Sequence, residues 1–147
     1  MKHYVTGFLF TRDSNHVVLI KKLNPKWQRG LFNGVGGKIE ENEKSCDAMS
    51  REFKEETGVV INAEEWVQFS HIHRPGFYHL DLYYAHSDLA FDVRTIEKEE
   101  VHIVKVNNLP KNIIPNLQWL IPLALDKEMD FSNPILMQEI ANERTKS

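Results

Sequence analysis

Cysteine is almost missing from this chain. Cys46 is the only one in 147 residues, so no intramolecular disulfide forms, and neither a four-cysteine zinc site nor a CxxC redox pair is available. A reducing compartment, the cytoplasm, is the expectation. Long apolar runs are missing too. The amino-terminal stretch MKHYVTGFLF is broken by Thr6 and Gly7, and Thr11, Arg12 and Asp13 follow before a signal-peptide core or a membrane span is complete. Neither sign of charge dominates: 18 Lys plus Arg stand against 21 Asp plus Glu, a formal charge of -3. That balance excludes a chain built to coat a nucleic acid polymer through bulk positive charge. No repeat, low-complexity tract or linker divides the sequence. What is present is ordinary for a globular protein, with 41% hydrophobic residues. One domain over residues 1–147 is expected, large enough to bury roughly two-thirds of its unfolded surface.

Patterning along the chain predicts a mixed α/β architecture. Tyr4 to Thr11 and His16 to Lys22 are rich in β-branched and aromatic residues around the turn cluster Asp13-Ser14-Asn15, which predicts a hairpin. Leu23 to Leu31 has no steady period and leads into the glycine-rich Asn33 to Lys38, read as loop. Within Glu43 to Thr57, the residues Cys46, Met49 and Phe53 recur at helical steps, and Gly58 stands where a C-terminal cap belongs. Trp66 to His73 and Phe77 to His86 read as strands around the turn Arg74-Pro75-Gly76, with Leu80, Leu82 and Tyr84 on one face and His79, Asp81 and Tyr83 on the other. Val101 to Val106 is a further strand, and Asn116 to Asp126 a helix kinked or cut short by Pro122. Ile135 to Arg144 fits an edge strand, a helix or a disordered end.

Glu52, Glu55 and Glu56 lie at i, i+3 and i+4, so a helix brings three carboxylates to one face. Packed like charges repel unless cations neutralise them. Lys44, Arg51 and Lys54 could do so on a solvated helix face; alternatively, oxygen-only donors suit hard Mg²⁺, which keeps several waters and completes its shell with phosphate oxygens. Upstream, Gly34, Gly36 and Gly37 permit close backbone approach, so a carbonyl there can add a ligand while N–H groups meet phosphate.

The full segment Gly37 to Val59, GKIEENEKSCDAMSREFKEETGV, carries Gly37, Glu43, Arg51, Glu52, Phe53, Glu55, Glu56, Gly58 and Val59 at fixed spacing. It resembles the Nudix hydrolase signature G-x5-E-x7-R-E-U-x-E-E-x-G-U, U being apolar, with every specified position filled. Phe53 is bulkier than the usual aliphatic residue. The resemblance implies a Nudix fold, an α/β/α sandwich with a mixed central sheet and a loop-helix-loop catalytic motif. It implies hydrolysis of a nucleoside diphosphate linked to another group, with Mg²⁺ as cofactor and Mn²⁺ as a substitute. By position, Glu52, Glu55, Glu56 and the Gly37 carbonyl hold the metal, and Arg51 with Glu43 forms an orienting ion pair. Glu52 is the first choice of general base and Glu100 the second. Glu100 also stands where relatives carry an extra acidic ligand, a place that Glu99 takes if the alignment slips by one residue.

Leu31 to Lys38, LFNGVGGK, resembles the MutT-like branch that hydrolyses oxidised purine nucleoside triphosphates. The resemblance implies base recognition by Asn33 and, from the helix start in IIPNLQWL, by Asn116 with Trp119 nearby. An amide both donates and accepts, which suits a purine edge. Lys22, Gly36 and Lys38 are the accompanying phosphate contacts, and Trp27 and Phe32 are further aromatics able to stack on a base or fill a core. Expected partners are small-molecule nucleotides, with neither nucleic acid polymer nor membrane, in a monomer or homodimer. The leading substrate is a purine nucleoside triphosphate such as 8-oxo-dGTP, cut to monophosphate and pyrophosphate. ADP-ribose is the alternative, because Pro75 lies near the position of a proline in ADP-ribose-cleaving relatives, although a Pro-Gly turn also accounts for it. A sensor without turnover is the third reading, and the intact acidic positions speak against it. His71, His73 and His79 read as ordinary strand histidines, since the sequence shows no acid pattern around them. Cys46 reads as a buried small residue.

Overall fold

The computed structural model describes residues 1–140. Eight strands, β1 Lys2–Phe10, β2 His16–Lys21, β3 Phe32–Asn33, β4 Val35–Lys38, β5 Val67–Arg74, β6 Tyr78–His86, β7 Glu100–Lys105 and β8 Ile135–Gln138, join two helices, α1 Ser45–Thr57 and α2 Leu117–Ala124. The strands form one mixed sheet in the order β3-β2-β1-β6-β5-β8, with β4 on β1 and β7 on β2. The β1–β6 and β5–β8 pairings are parallel, the others antiparallel.

Helices cover both faces of the sheet, and the strand sequences explain why. From Gly7 to Phe10 in β1 and from Val17 to Ile20 in β2 the run is continuously apolar, as expected of strands buried on two sides. Leu9, Val18 and Ile20 pack with Ala48, Met49 and Phe53 of α1. The intervening Phe8, Phe10, Val17 and Leu19 pack with Leu117, Leu120 and Ile121 of α2. The same alternation places Leu80 and Leu82 on the α2 side of β6 and Tyr83 on the α1 side, as the sequence predicts. At its C-terminus α1 is closed by Gly58 at φ 79, whose N–H donates to the Lys54 carbonyl at 2.9 Å.

Three expectations are corrected. The predicted β1–β2 hairpin is reduced to one paired position, Phe10↔Val17. One edge of β1 is taken by β6 along its whole length and the other by β4 at Tyr4 to Gly7, so β2 pairs mainly with β7. The glycine-rich segment is not a loop: Val35–Lys38 is a strand against β1. Glycine is poor in strands when side-chain packing decides. Here backbone proximity decides, because a Cβ on Gly36 would lie 1.9 Å from the Val5 carbonyl oxygen. Third, the helix expected at 116–126 is the shorter Leu117–Ala124, with Pro122 inside its last turn. Of the undecided tail, Ile135–Gln138 is an edge strand parallel to β5, and positions 141–144 lie outside the described residues.

Phe53 is fully buried and stacks edge-on against Trp66 at 5.4 Å between ring centroids. Replacing Phe53 with alanine should therefore destabilise the fold by about 3–5 kcal/mol, read as a lower urea midpoint at unchanged slope.

Candidate active site

The register that buries α1 also builds its acidic face. Met49 and Phe53 point into the core, and Glu52 and Glu56, each three residues further on, emerge at the rim of that buried stripe. Glu52 is thus only 14% exposed, whereas Glu55, turned further outward, is 46% exposed. β4 runs beside this face, and a Cβ on Gly37 would fall 2.4 Å from the Glu52 carboxyl. Only glycine leaves room for that carboxylate against the strand.

Arg51 organises the cluster. Its Nε and Nη2 donate to the two oxygens of Glu43 at 2.7 and 2.9 Å, its Nη1 to Glu52 at 2.8 Å and to Glu55 at 3.3 Å, and its Nη2 also to the Lys38 carbonyl at 3.1 Å. Glu40 adds a weaker ion pair at 3.7 Å. This bidentate clamp holds the Glu43 carboxyl below its ordinary value, chiefly through the hydrogen bond from Arg51.

Glu52 and Glu56 shift the other way. Burial raises both, and Glu56 is pushed up to about 7, with Glu97 and Glu99 adding repulsion and Lys22 opposing it. Among the described residues, Glu56 Oε2 is buried without a hydrogen-bond partner. An orphaned carboxylate oxygen beside a second half-buried carboxylate suits a hard divalent cation, so Glu52 and Glu56 fit Mg²⁺, whereas Glu55, 46% exposed and bonded to Arg51, does not close on them here.

The acids preceding β7 divide. Glu99 faces the cluster side, only 15% exposed, and accepts from Lys22 Nζ at 3.1 Å and from the backbone N–H of Leu23 at 2.5 Å. Glu100 points elsewhere, 61% exposed and bonded to His102 at 3.0 Å. The side chain that acts on Glu56 from this segment is that of Glu99 or Glu97, which sequence spacing alone did not select.

Beside the cluster opens a cleft of about 660 Å³ that reaches Gly37. Lys22, Asn33, Gly36 and Asn116 line it together. Asn33 donates to Gln28 at 3.2 Å and accepts from the Gly34 N–H at 2.8 Å, while the Asn116 side chain makes no capping bond to α2. Trp27 is also in the wall, as are Gln28, Tyr78 and Glu139, which the sequence pattern did not single out. Tyr78, at the start of β6, and Glu139, just after β8, reach the cleft from distant parts of the chain. Phe32 is buried in the α2-side core, and Trp119, 48% exposed, lies outside the lining, as does the exposed Lys38. Pro75 occupies the β5–β6 turn, closed by the Phe77 N–H on the Arg74 carbonyl at 3.0 Å.

Comparison with known proteins agrees with this geometry. None of the curated proteins matches the chain at a significant level. Among solved structures, a MutT/nudix family protein from Enterococcus faecalis is 26% identical over 71% of the chain, with a TM-score of 0.55, and the match spans only 43% of that longer protein. A MutT NUDIX hydrolase from Burkholderia pseudomallei has a TM-score of 0.68 at 20% identity, covering 83% of this chain and 96% of that one. A NUDIX hydrolase from Nitrosomonas europaea has a TM-score of 0.70 at 22% identity, covering 95% and 78%. The last two establish likeness of fold. The family model described as NUDIX domain matches residues 1–127. That match covers β1 to β7, both helices and every cleft residue named above except Glu139, and the chain belongs to the Nudix hydrolase family.

Proposed function

We propose that this protein is a Mg²⁺-dependent pyrophosphohydrolase of purine nucleoside triphosphates, 8-oxo-dGTP among them, releasing a mononucleotide and pyrophosphate. The observation that carries the reading is the continuity of the two halves of the site. A cleft lined by two amides, Asn33 and Asn116, opens directly onto the glycine beside the Glu52 carboxylate. The amides suit a base edge, Lys22 and the Gly36 backbone suit the phosphates, and the glutamates lie beyond them.

Glu52, Glu55, Glu56 and the Gly37 carbonyl hold the cation. When bound, Mg²⁺ offsets phosphate charge and lowers the pKa of an attacking water. Glu52 is the proposed general base. Water adds to the α-phosphorus, its proton passes to the carboxylate, and the bond to the bridging oxygen breaks so that pyrophosphate leaves with the electron pair. Arg51 positions Glu52 and Glu55 without touching substrate. Glu99 or Glu97, in preference to the outward Glu100, supplies the additional acid.

Three measurements test this. Glu56→Gln should lower kcat by at least about 10²-fold with the melting temperature kept or raised, since it removes a buried charge; Mg²⁺-dependent turnover at the original rate would overturn the metal assignment, and tight nucleotide binding with no turnover even in the unaltered protein would establish the sensor reading. A panel of dGTP, 8-oxo-dGTP, ATP, dATP and ADP-ribose should show pyrophosphate released from a purine triphosphate at the highest kcat/KM, whereas preference for ADP-ribose would reverse the substrate assignment. Asn33→Ala and Asn116→Ala should each raise KM with kcat little changed, the mark of lost base contacts.

A further inference from the structure

A second cluster of metal-binding character lies on the same face of the sheet, away from the glutamates. Strand pairing sets His3 of β1, His79 of β6 and His73 of β5 in one cross-strand row, and Val5, Asp81 and His71 in the next. His79 and Asp81 alternate with Leu80 and Leu82, which pack toward α2, so this polar set lies on the α1 side. Neighbouring positions in the sequence reveal none of this, because His3 is 78 residues from Asp81.

We propose that His3, His71 and Asp81 form a second metal site, for a transition-metal ion of the Zn²⁺ class. Their ligand atoms all lie within 4.8 Å of one another. His71 Nδ1 is 2.6 Å from Asp81 Oδ1, and His3 Nε2 is 3.0 Å from Asp81 Oδ2. In a tetrahedral shell with bonds of about 2.0–2.1 Å, ligands stand about 3.3 Å apart. Opening these contacts by about 0.3 and about 0.7 Å therefore admits the ion. Two imidazoles and a carboxylate leave one position for water or another ligand. Nitrogen donors favour Zn²⁺ over Mg²⁺, which prefers an all-oxygen shell.

The surroundings hold the ligands as metal sites require. Ser45 Oγ donates to Asp81 Oδ2 at 2.6 Å and Gln68 Nε2 to Oδ1 at 3.0 Å, while the Tyr83 hydroxyl donates to Ser45 at 2.7 Å. His71 Nε2 lies 3.0 Å from His79 Nδ1, and the His79 ring stacks on His73 at 4.3 Å. Among the described residues, His73 Nε2 is buried without a hydrogen-bond partner. A bound ion would brace β1, β6 and β5 together and, through Ser45, the first residue of α1.

The test uses the full chain in saturating Mg²⁺, so that the glutamates are occupied. Calorimetric titration should find one further equivalent of Zn²⁺, with a raised melting temperature, and Co²⁺ in its place should give the visible absorption of a four-coordinate ion. His3→Ala, at a side chain 42% exposed whose one side-chain hydrogen bond among the described residues is to Asp81, should keep the melting temperature of the metal-free protein and weaken Zn²⁺ binding more than 10-fold. Gln68→Ala should weaken it by about 10- to 100-fold. Glu52→Gln and Glu56→Gln should leave it unchanged. Absence of the extra equivalent, or loss of it in the glutamate variants and not in His3→Ala, overturns the proposal. Neither result depends on turnover, so the outcome is separate from the assignment of the hydrolytic site.

Discussion

One guanidinium against four carboxylates is the contact on which the site rests. Arg51 reaches Glu40, Glu43, Glu52 and Glu55 at once, along with the Lys38 carbonyl. Its planar fork matches Glu43 bidentately, which a lysine would not reproduce. That pairing anchors the segment before α1 to the helix and fixes the distance from β4, where Gly37 lies, to the acidic face. Arg51 holds Glu43 below its ordinary value, whereas for Glu52 and Glu56 burial outweighs what Arg51 and Lys22 offset. Deprotonating Glu56 therefore works against folding in the metal-free chain, and in the function proposed above a divalent cation would bind the more tightly for relieving that cost. Lys54, one of the three candidates for internal neutralisation, is instead in the last turn of α1 on an exposed position.

Much of this was legible because it is local. The i, i+3, i+4 carboxylates, the stripe of Met49 and Phe53, and the cap at Gly58 all follow from helical periodicity within 13 residues. What was illegible depends on partners far along the chain. Gly34 to Gly37 read as a loop because their lack of side chains signals a turn, while the actual constraint is the proximity of the β1 backbone. The strand β2 looked like the hairpin partner of β1, yet β7 claims it from about 80 to 90 positions further along the chain. Among Glu97, Glu99 and Glu100, the choice rests on which side of the strand entry each residue faces, and a one-residue shift reverses the face. The histidines were legible as strand residues but not as a cluster, since His71 meets Asp81 through the antiparallel β5–β6 pairing and His3 arrives through the parallel β1–β6 pairing.

Both helices have a second task beyond covering the sheet. On one face, α1 contributes the carboxylates. On the other, the start of α2 presents Asn116 to the cleft, and Ile114 and Leu120 line it from the same element and its approach. The cleft takes its walls from β1, β3, β4, β6, the segment after β2 and the α2 entry, with Glu139 after β8 also in the lining.

Gly37, Val5, Asp81 and His71 form one continuous cross-strand row through β4, β1, β6 and β5. Gly37 thus stands two strand spacings, about 10 Å, from Asp81. The row carries oxygen donors at one end and nitrogen donors at the other, with the buried Val5 between them. The two proposed metal sites are thereby kept apart in a single sheet. The glutamate end offers carboxylates, while the histidine end offers the Asp81 carboxylate among the imidazoles of His3, His71, His73 and His79. Val5, 1% exposed, stands between the two sets. β1 is common to both ends, with Gly37 of β4 on one edge and Asp81 of β6 on the other.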